Sequence, residues 1–206
     1  MFARSTTIIV DHASIDRAVT LMRDEVMPAL LRIDGCIGMS VLVDRESGRC
    51  IATSSWRSSE AMRASNAQVA PLRDQVIATL RAKEPLIQEW EIPVMHRSHP
   101  APEGAGARLS WLKGDPANLE SATESYKMIM PLLDDLTGFC SASLLINRDT
   151  GQAVSTVVYD NAEALMRTRE VANSLRGRVA EQAGAEVLEV AEFELALAHL
   201  RVPELV

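Results

Sequence analysis

No stretch of this sequence approaches 18 consecutive apolar residues, and the opening Met1-Phe-Ala-Arg-Ser has no charged segment leading into an apolar one. Neither a membrane-spanning helix nor a secretory leader is expected, which implies a cytoplasmic protein. Positive charge is scarce: 21 Lys and Arg stand against 28 Asp and Glu, for a net charge of −7 and no basic run. Nucleic acid and anionic membrane both demand basic surface, so neither is expected as a partner. The three cysteines, Cys36, Cys50 and Cys140, show no CxxC spacing. This excludes a zinc ribbon or disulfide framework and reads as buried thiols in a reducing compartment. Phosphate loop, GxSxG elbow, HExxH helix and Rossmann glycines are all missing, so no cofactor is expected.

What is present is a sequence written twice. Sliding the chain by 103 positions puts Met27-Pro28 on Met130-Pro131, Gly35 on Gly138, and Ser40–Gly48 on Ser143–Gly151 without a gap. Glu89-Trp-Glu91 meets Glu192-Phe-Glu194, and His96 meets His199. So many coincidences at one offset mean duplication. Copies at 1–97 and 106–206 follow, joined by the Pro/Gly-rich linker 98–105.

Each copy reads β-α-β-β-α-β. In the first, a strand over 3–10 is followed by a helix from Ser14 to Gly35, with Pro28 expected to bend or divide it. Strands 37–44 and 49–57 flank a hairpin loop ending at Gly48. A second helix is predicted over 59–81 with a break near Pro71, and a last strand over 86–95. This order predicts an α+β fold: two ferredoxin-like repeats packed sheet to sheet as an intramolecular α+β barrel.

The run Gly35-Cys-Ile-Gly-Met-Ser-Val-Leu-Val-Asp, the strand Ile51-Ala-Thr-Ser-Ser-Trp and the closing Glu89-Trp-Glu-Ile resemble the antibiotic biosynthesis monooxygenase family, here in a tandem fused form. The resemblance implies the dimeric α+β barrel, with a ligand pocket between sheet and helices. It implies a reaction far less strongly, because members include cofactor-independent oxygenases, haem-degrading enzymes and proteins without assigned function.

Trp56 matches the family's pocket-lining tryptophan. Its partner by the offset is Tyr159, and Met39 faces Ala142, so Trp56, Tyr159 and Met39 are the candidate ligand-binding residues, with one pocket favoured over the other. The bland alternative is that Trp56 and Tyr159 are large residues where strand meets helix. His96 and His199, placed just after the last strands, are weak catalytic candidates, and packing is the commoner role for such a pair. His99 is read as part of a solvated linker, and no metal is expected. The pairs Glu89/Glu91 and Glu192/Glu194 are read as a polar face held by arginines such as Arg4, Arg49 or Arg57, and Arg73 and Arg176 as surface or helix-pairing residues. Haem-degrading relatives carry a strand asparagine and a helix histidine that this chain lacks, so tight haem binding is not expected. The expected function is small-molecule binding, non-catalytic or stress-associated. The alternative is a cofactor-independent monooxygenase-like enzyme acting on a small planar aromatic substrate. Room is left for a homodimer of the fused chain.

Overall fold

The computed structural model describes every residue except Arg201, and Leu200 by its backbone alone. The first copy runs β1 (Phe2–Ile9), α1 (Ile15–Leu21), a π-helical turn (Met22–Val26), α2 (Met27–Leu30), β2 (Cys36–Asp44), β3 (Arg49–Trp56), α3 (Ser59–Ala64), α4 (Asn66–Leu80) and β4 (Leu86–Arg97). The second runs β5 (Gly106–Lys113), α5 (Leu119–Met128), α6 (Met130–Asp134), β6 (Phe139–Asn147), β7 (Gln152–Tyr159), α7 (Ala162–Arg167), α8 (Arg169–Ala183) and β8 (Glu186–Leu200). The strands hydrogen-bond in one closed order, β1-β3-β2-β8-β5-β7-β6-β4. The fold is therefore an α+β barrel closed within one chain. No helix among the described residues is long and apolar enough to cross a membrane.

The chain divides into two compact units that do not coincide with the copies: residues 1–90 with 194–202, and residues 91–193 with 203–206. In the first unit β2 pairs with β8, setting Met39 opposite His199 and Val43 opposite Glu194. In the second, β4 from Glu91 onward pairs with β6. The core of the first unit gathers Ile8, Ile15, Val19, Met22, Met39 and Val43, all 8% exposed or less. Each is worth about 1.5–3 kcal/mol on burial. The second unit's core holds Leu119, Tyr126, Leu133, Leu144 and Ile146.

The repeat offset is not uniform. β2 and β6 begin 103 residues apart, whereas β1 and β5, like α1 and α5, begin 104 apart. From Ile15 to Met27 the first copy has one residue more than the second has from Leu119 to Met130, and its π-turn lies in that interval. One added residue would rotate all later side chains by about 100° about the helix axis. Widening a single turn absorbs it, so Met27 and Met130 regain equivalence.

Pro28 meets the sequence expectation and Pro71 does not: the first helical stretch is divided by the π-helical turn that ends two residues before Pro28. Pro28 sits in the first turn of α2, where its missing N–H costs little. The second helical stretch breaks at Ser65, and Pro71 lies inside α4. The other copy has Ser174 in place of that proline, yet breaks equivalently at Thr168. The hydroxyls account for this: Ser65 Oγ donates to the Met62 carbonyl at 2.7 Å, and Thr168 Oγ1 to the Ala164 carbonyl at 3.0 Å. Gly35 and Gly138 end the first helical stretches at φ +82° and +80°. A β-carbon on Gly35 would lie 2.5 Å from Ala61 Cβ, so glycine is required there for space as well as for conformation.

Candidate functional site

Each unit buries one arginine against its helix break. Arg4 on β1 is 2% exposed and Arg108 on β5 is 3% exposed. Arg4 donates through Nη2 to Glu89 Oε1 and to the Met62 carbonyl, both at 2.8 Å, and through Nη1 to Ser65 Oγ at 3.2 Å. Arg108 repeats the pattern with Glu192 at 2.9 Å, the Leu165 carbonyl and Thr168 Oγ1. Burial would raise the Glu192 carboxyl, but Arg169 and Arg108 outweigh it and hold the group below the usual carboxylate range. Sequence reading paired Glu89 with Arg4 and missed Arg108. The signal was available, since Arg4 falls on Arg108 only at the 104-residue offset.

Above each arginine lies an apolar cleft between sheet and helices. The first is open to solvent, spans about 760 Å³ with its mouth included, and is lined by Ile8, Val19, Met22, Met39, Cys50 and Ser54, with Arg73 at the helix side. Its buried Ser54 is occupied. Ser54 Oγ donates to the Arg4 carbonyl at 3.3 Å and accepts from Trp56 Nε1 at 3.0 Å. Trp56 is fully buried and is not among the lining residues, because Ser54 stands between it and the cleft. Met39 does line the cleft. Burial pushes the Cys50 thiol up to about 11.

The second cleft, also open to solvent, spans about 900 Å³ with its mouth included. Its walls are Leu119, Ile129, Leu133, Leu144 and Val157, with Arg108, Tyr126, Tyr159 and Arg176 as polar points. Tyr126 is satisfied: its hydroxyl donates to the Ser143 carbonyl at 3.2 Å and shares a 2.9 Å hydrogen bond with Ser155. Tyr159 is not. It is fully buried, and its hydroxyl makes no hydrogen bond of good geometry, although Thr168 and Arg108 lie beside it. Burial holds its phenol above the ordinary value, partly offset by the nearby Thr168 and Arg108. The Arg108 guanidinium, its hydrogen bonds aimed elsewhere, lies 5.6 Å from the Tyr159 ring centre. Arg176 donates to Asn173 at 2.6 Å, and burial followed by repulsion from Arg108 lowers its pKa.

The candidate histidines are on neither cleft. Both lie within the long last strands, β4 and β8, rather than beyond them, because those strands run on to 97 and 200. His96 contacts Glu204 through Nδ1 and Asp134 through Nε2 at 2.8 Å, and stacks on Phe139. Burial opposes its charge, but the hydrogen bonds to Asp134 and Glu204 prevail and raise its pKa. His99 is not loose in a solvated loop: its backbone N–H donates to the Cys140 carbonyl at 3.3 Å, and its ring lies 2.8 Å from Asp160.

No known family profile matches the chain. Two Mycobacterium tuberculosis H37Rv proteins, both named as uncharacterised, are close in sequence. Rv2557 is 50% identical over 207 residues, covering 100% of this chain and 92% of that one. Rv2558 is 51% identical over 208 residues, covering 100% and 88%. Among solved structures, a candidate monooxygenase from Lactobacillus acidophilus NCFM is 14% identical with a TM-score of 0.71, covering 97% of this chain and 96% of that one. An anthrone oxidase-like protein is 11% identical with a TM-score of 0.68, covering 96% and 92%. A haem-degrading enzyme from Listeria monocytogenes is 8% identical with a TM-score of 0.55, covering 95% and 99%. At such identities these neighbours establish the monooxygenase-like fold and nothing about the reaction.

Proposed function

The chain belongs to the family of Rv2557 and Rv2558, and on that premise we propose that it is a small-molecule-binding protein whose second cleft takes one planar, largely apolar weak acid. The observation that carries the reading is the Tyr159 hydroxyl, a fully buried donor left unpaired in an otherwise apolar cleft. Buried polar groups nearly always find a partner, and a ligand oxygen supplies the missing one. Arg176, with Asn173 as its described partner, offers the countercharge for a phenolate or carboxylate. Binding rather than turnover is favoured because no histidine, cysteine or glutamate lines this cleft, and its one carboxylate, the exposed Asp115, accepts from the Ala117 N–H at 2.9 Å. The first cleft, with Trp56 and Ser54 mutually satisfied, lacks that open valence.

Calorimetric titration of the full chain with 2-naphthoate tests this. One site is expected, weakened by Tyr159→Phe and by Arg176→Met and indifferent to Met39→Leu. Two equal sites, or binding insensitive to Tyr159→Phe, would overturn the reading. Oxygen uptake on adding the phenolic analogue 2-naphthol would instead favour a cofactor-independent monooxygenase-like enzyme.

A further inference from the structure

Away from both clefts, three side chains of different chemistry converge in the second unit. The His99 ring, the Cys140 thiol and the Asp160 carboxylate each present one donor atom, and all three atoms lie within 4.8 Å of one another. His99 Nε2 is 2.8 Å from Asp160 Oδ1, and Cys140 Sγ is 3.4 Å from the same oxygen. We propose that His99, Cys140 and Asp160 form a three-ligand site for a divalent transition metal, with zinc the best fit.

The donor set selects the metal. Zinc takes nitrogen, sulfur and oxygen donors together, whereas magnesium and calcium avoid sulfur. Bond lengths of about 2.0–2.3 Å around a tetrahedral zinc set donors roughly 3.3–3.7 Å apart. The His99–Asp160 and Cys140–Asp160 separations need adjustments of about half an ångström or less, and the third pair, within 4.8 Å, closes by movement of the exposed His99 ring. Thiolate and carboxylate together balance the dication, and the fourth position stays open.

The backbone holds the three in place before any ion arrives. The N–H groups of Ser98 and His99 both donate to the Cys140 carbonyl, at 2.9 and 3.3 Å, and the Asp160 N–H donates to the Gly138 carbonyl at 2.8 Å. Access is one-sided: Cys140 is fully buried, while the His99 and Asp160 side chains are 44% and 38% exposed and form the mouth. The set has no counterpart elsewhere in the duplicated sequence, since Cys140 and Asp160 come from the second copy and His99 from the linker. The residues 103 earlier than Cys140 and Asp160 are Ile37 and Arg57, and the residue 103 later than His99 is Val202. A His99–Asp160 ion pair alone would not call for a buried sulfur against the same oxygen.

The test is titration of the full, chelator-treated chain with cobalt(II), followed by competition with zinc(II). One equivalent of cobalt should bind and give a near-ultraviolet sulfur-to-cobalt charge-transfer band. Cys140→Ser should abolish the band and weaken zinc by roughly a hundredfold or more, since even outer partners of a metal are worth about 10–100-fold. His99→Ala and Asp160→Asn, surface changes that circular dichroism can confirm as folded, should each weaken zinc at least about tenfold. Cys36→Ser should change nothing. Absence of the band, its loss in Cys36→Ser, or unchanged zinc affinity in folded His99→Ala and Asp160→Asn would overturn the proposal.

Discussion

Replacing Tyr159 by phenylalanine removes one oxygen and leaves the ring, with its Arg108 contact, in place. That oxygen is fully buried without a partner, and such a group costs about 1–3 kcal/mol in lost hydration. The variant should therefore be more stable than the parent by about 1 kcal/mol, raising the melting midpoint by roughly 2–4 °C for a chain of this size. Tyr126→Phe in the same cleft supplies the contrast. Its hydroxyl engages Ser143 and Ser155, so its loss should lower stability by about 1–2 kcal/mol. Opposite signs from the same chemical change make the measurement decisive. Urea and thermal unfolding of the full chain, followed by circular dichroism, would report both. With 2-naphthoate at 100 times its dissociation constant the parent gains about 2.7 kcal/mol, and Tyr159→Phe should gain distinctly less. If Tyr159→Phe instead destabilises as much as Tyr126→Phe, its hydroxyl is paired in solution and the argument for a ligand there fails.

Gly35→Ala should cost about 1–3 kcal/mol, because the added carbon meets Ala61 at φ +82°; Gly104→Ala, at φ +79° with open space around it, should cost less, and equal losses in urea unfolding would refute the packing argument. Arg108→Met should lose about 3–5 kcal/mol, since it strands Glu192 without its buried partner; an unchanged urea midpoint would show that Arg169 alone suffices. The raised pKa of His96 means that its ion pairs stabilise the fold fully below about pH 6.5 and lose that effect as pH rises through the folded value. Amide exchange at Leu205, whose N–H donates to the Met95 carbonyl beside His96 at 2.8 Å, should accordingly show less protection at alkaline pH after correction for intrinsic rates. That trend should vanish in His96→Gln, and an opposite trend would refute it.

The fold was legible because duplication supplied two readings of every element. Hairpin glycines, helix-ending glycines and alternating strands each appear twice, and local chemistry at Gly35 or Gly48 is enough to place them. The break of the second helix was misread at Pro71, since a proline is visible in sequence while a hydroxyl capturing a carbonyl, as at Ser65 and Thr168, depends on a distant arginine. The site was less legible. Met39 and Tyr159 line clefts. Trp56 stands behind Ser54, which no periodicity distinguishes from a lining position two residues away. Arg73 and Arg176 were read as surface or helix-pairing residues, because which side of a helix faces a cleft is fixed by packing. The His99, Cys140 and Asp160 cluster joins residues 20 to 61 positions apart in sequence, with no motif spacing to announce it.

The exchange of strand ends between units also sets a timetable. The first unit needs residues 194–202, and β2 from Gly38 to Val43 pairs with β8. During synthesis that edge emerges more than 150 residues before its partner, a wait of about 8–30 s at typical elongation rates. The second unit, nearly continuous from 91 to 193, has all but its last few residues available earlier. The half made first is thus the half finished late, and Val41-Leu42-Val43 is the segment left open to wrong pairing while the ribosome works.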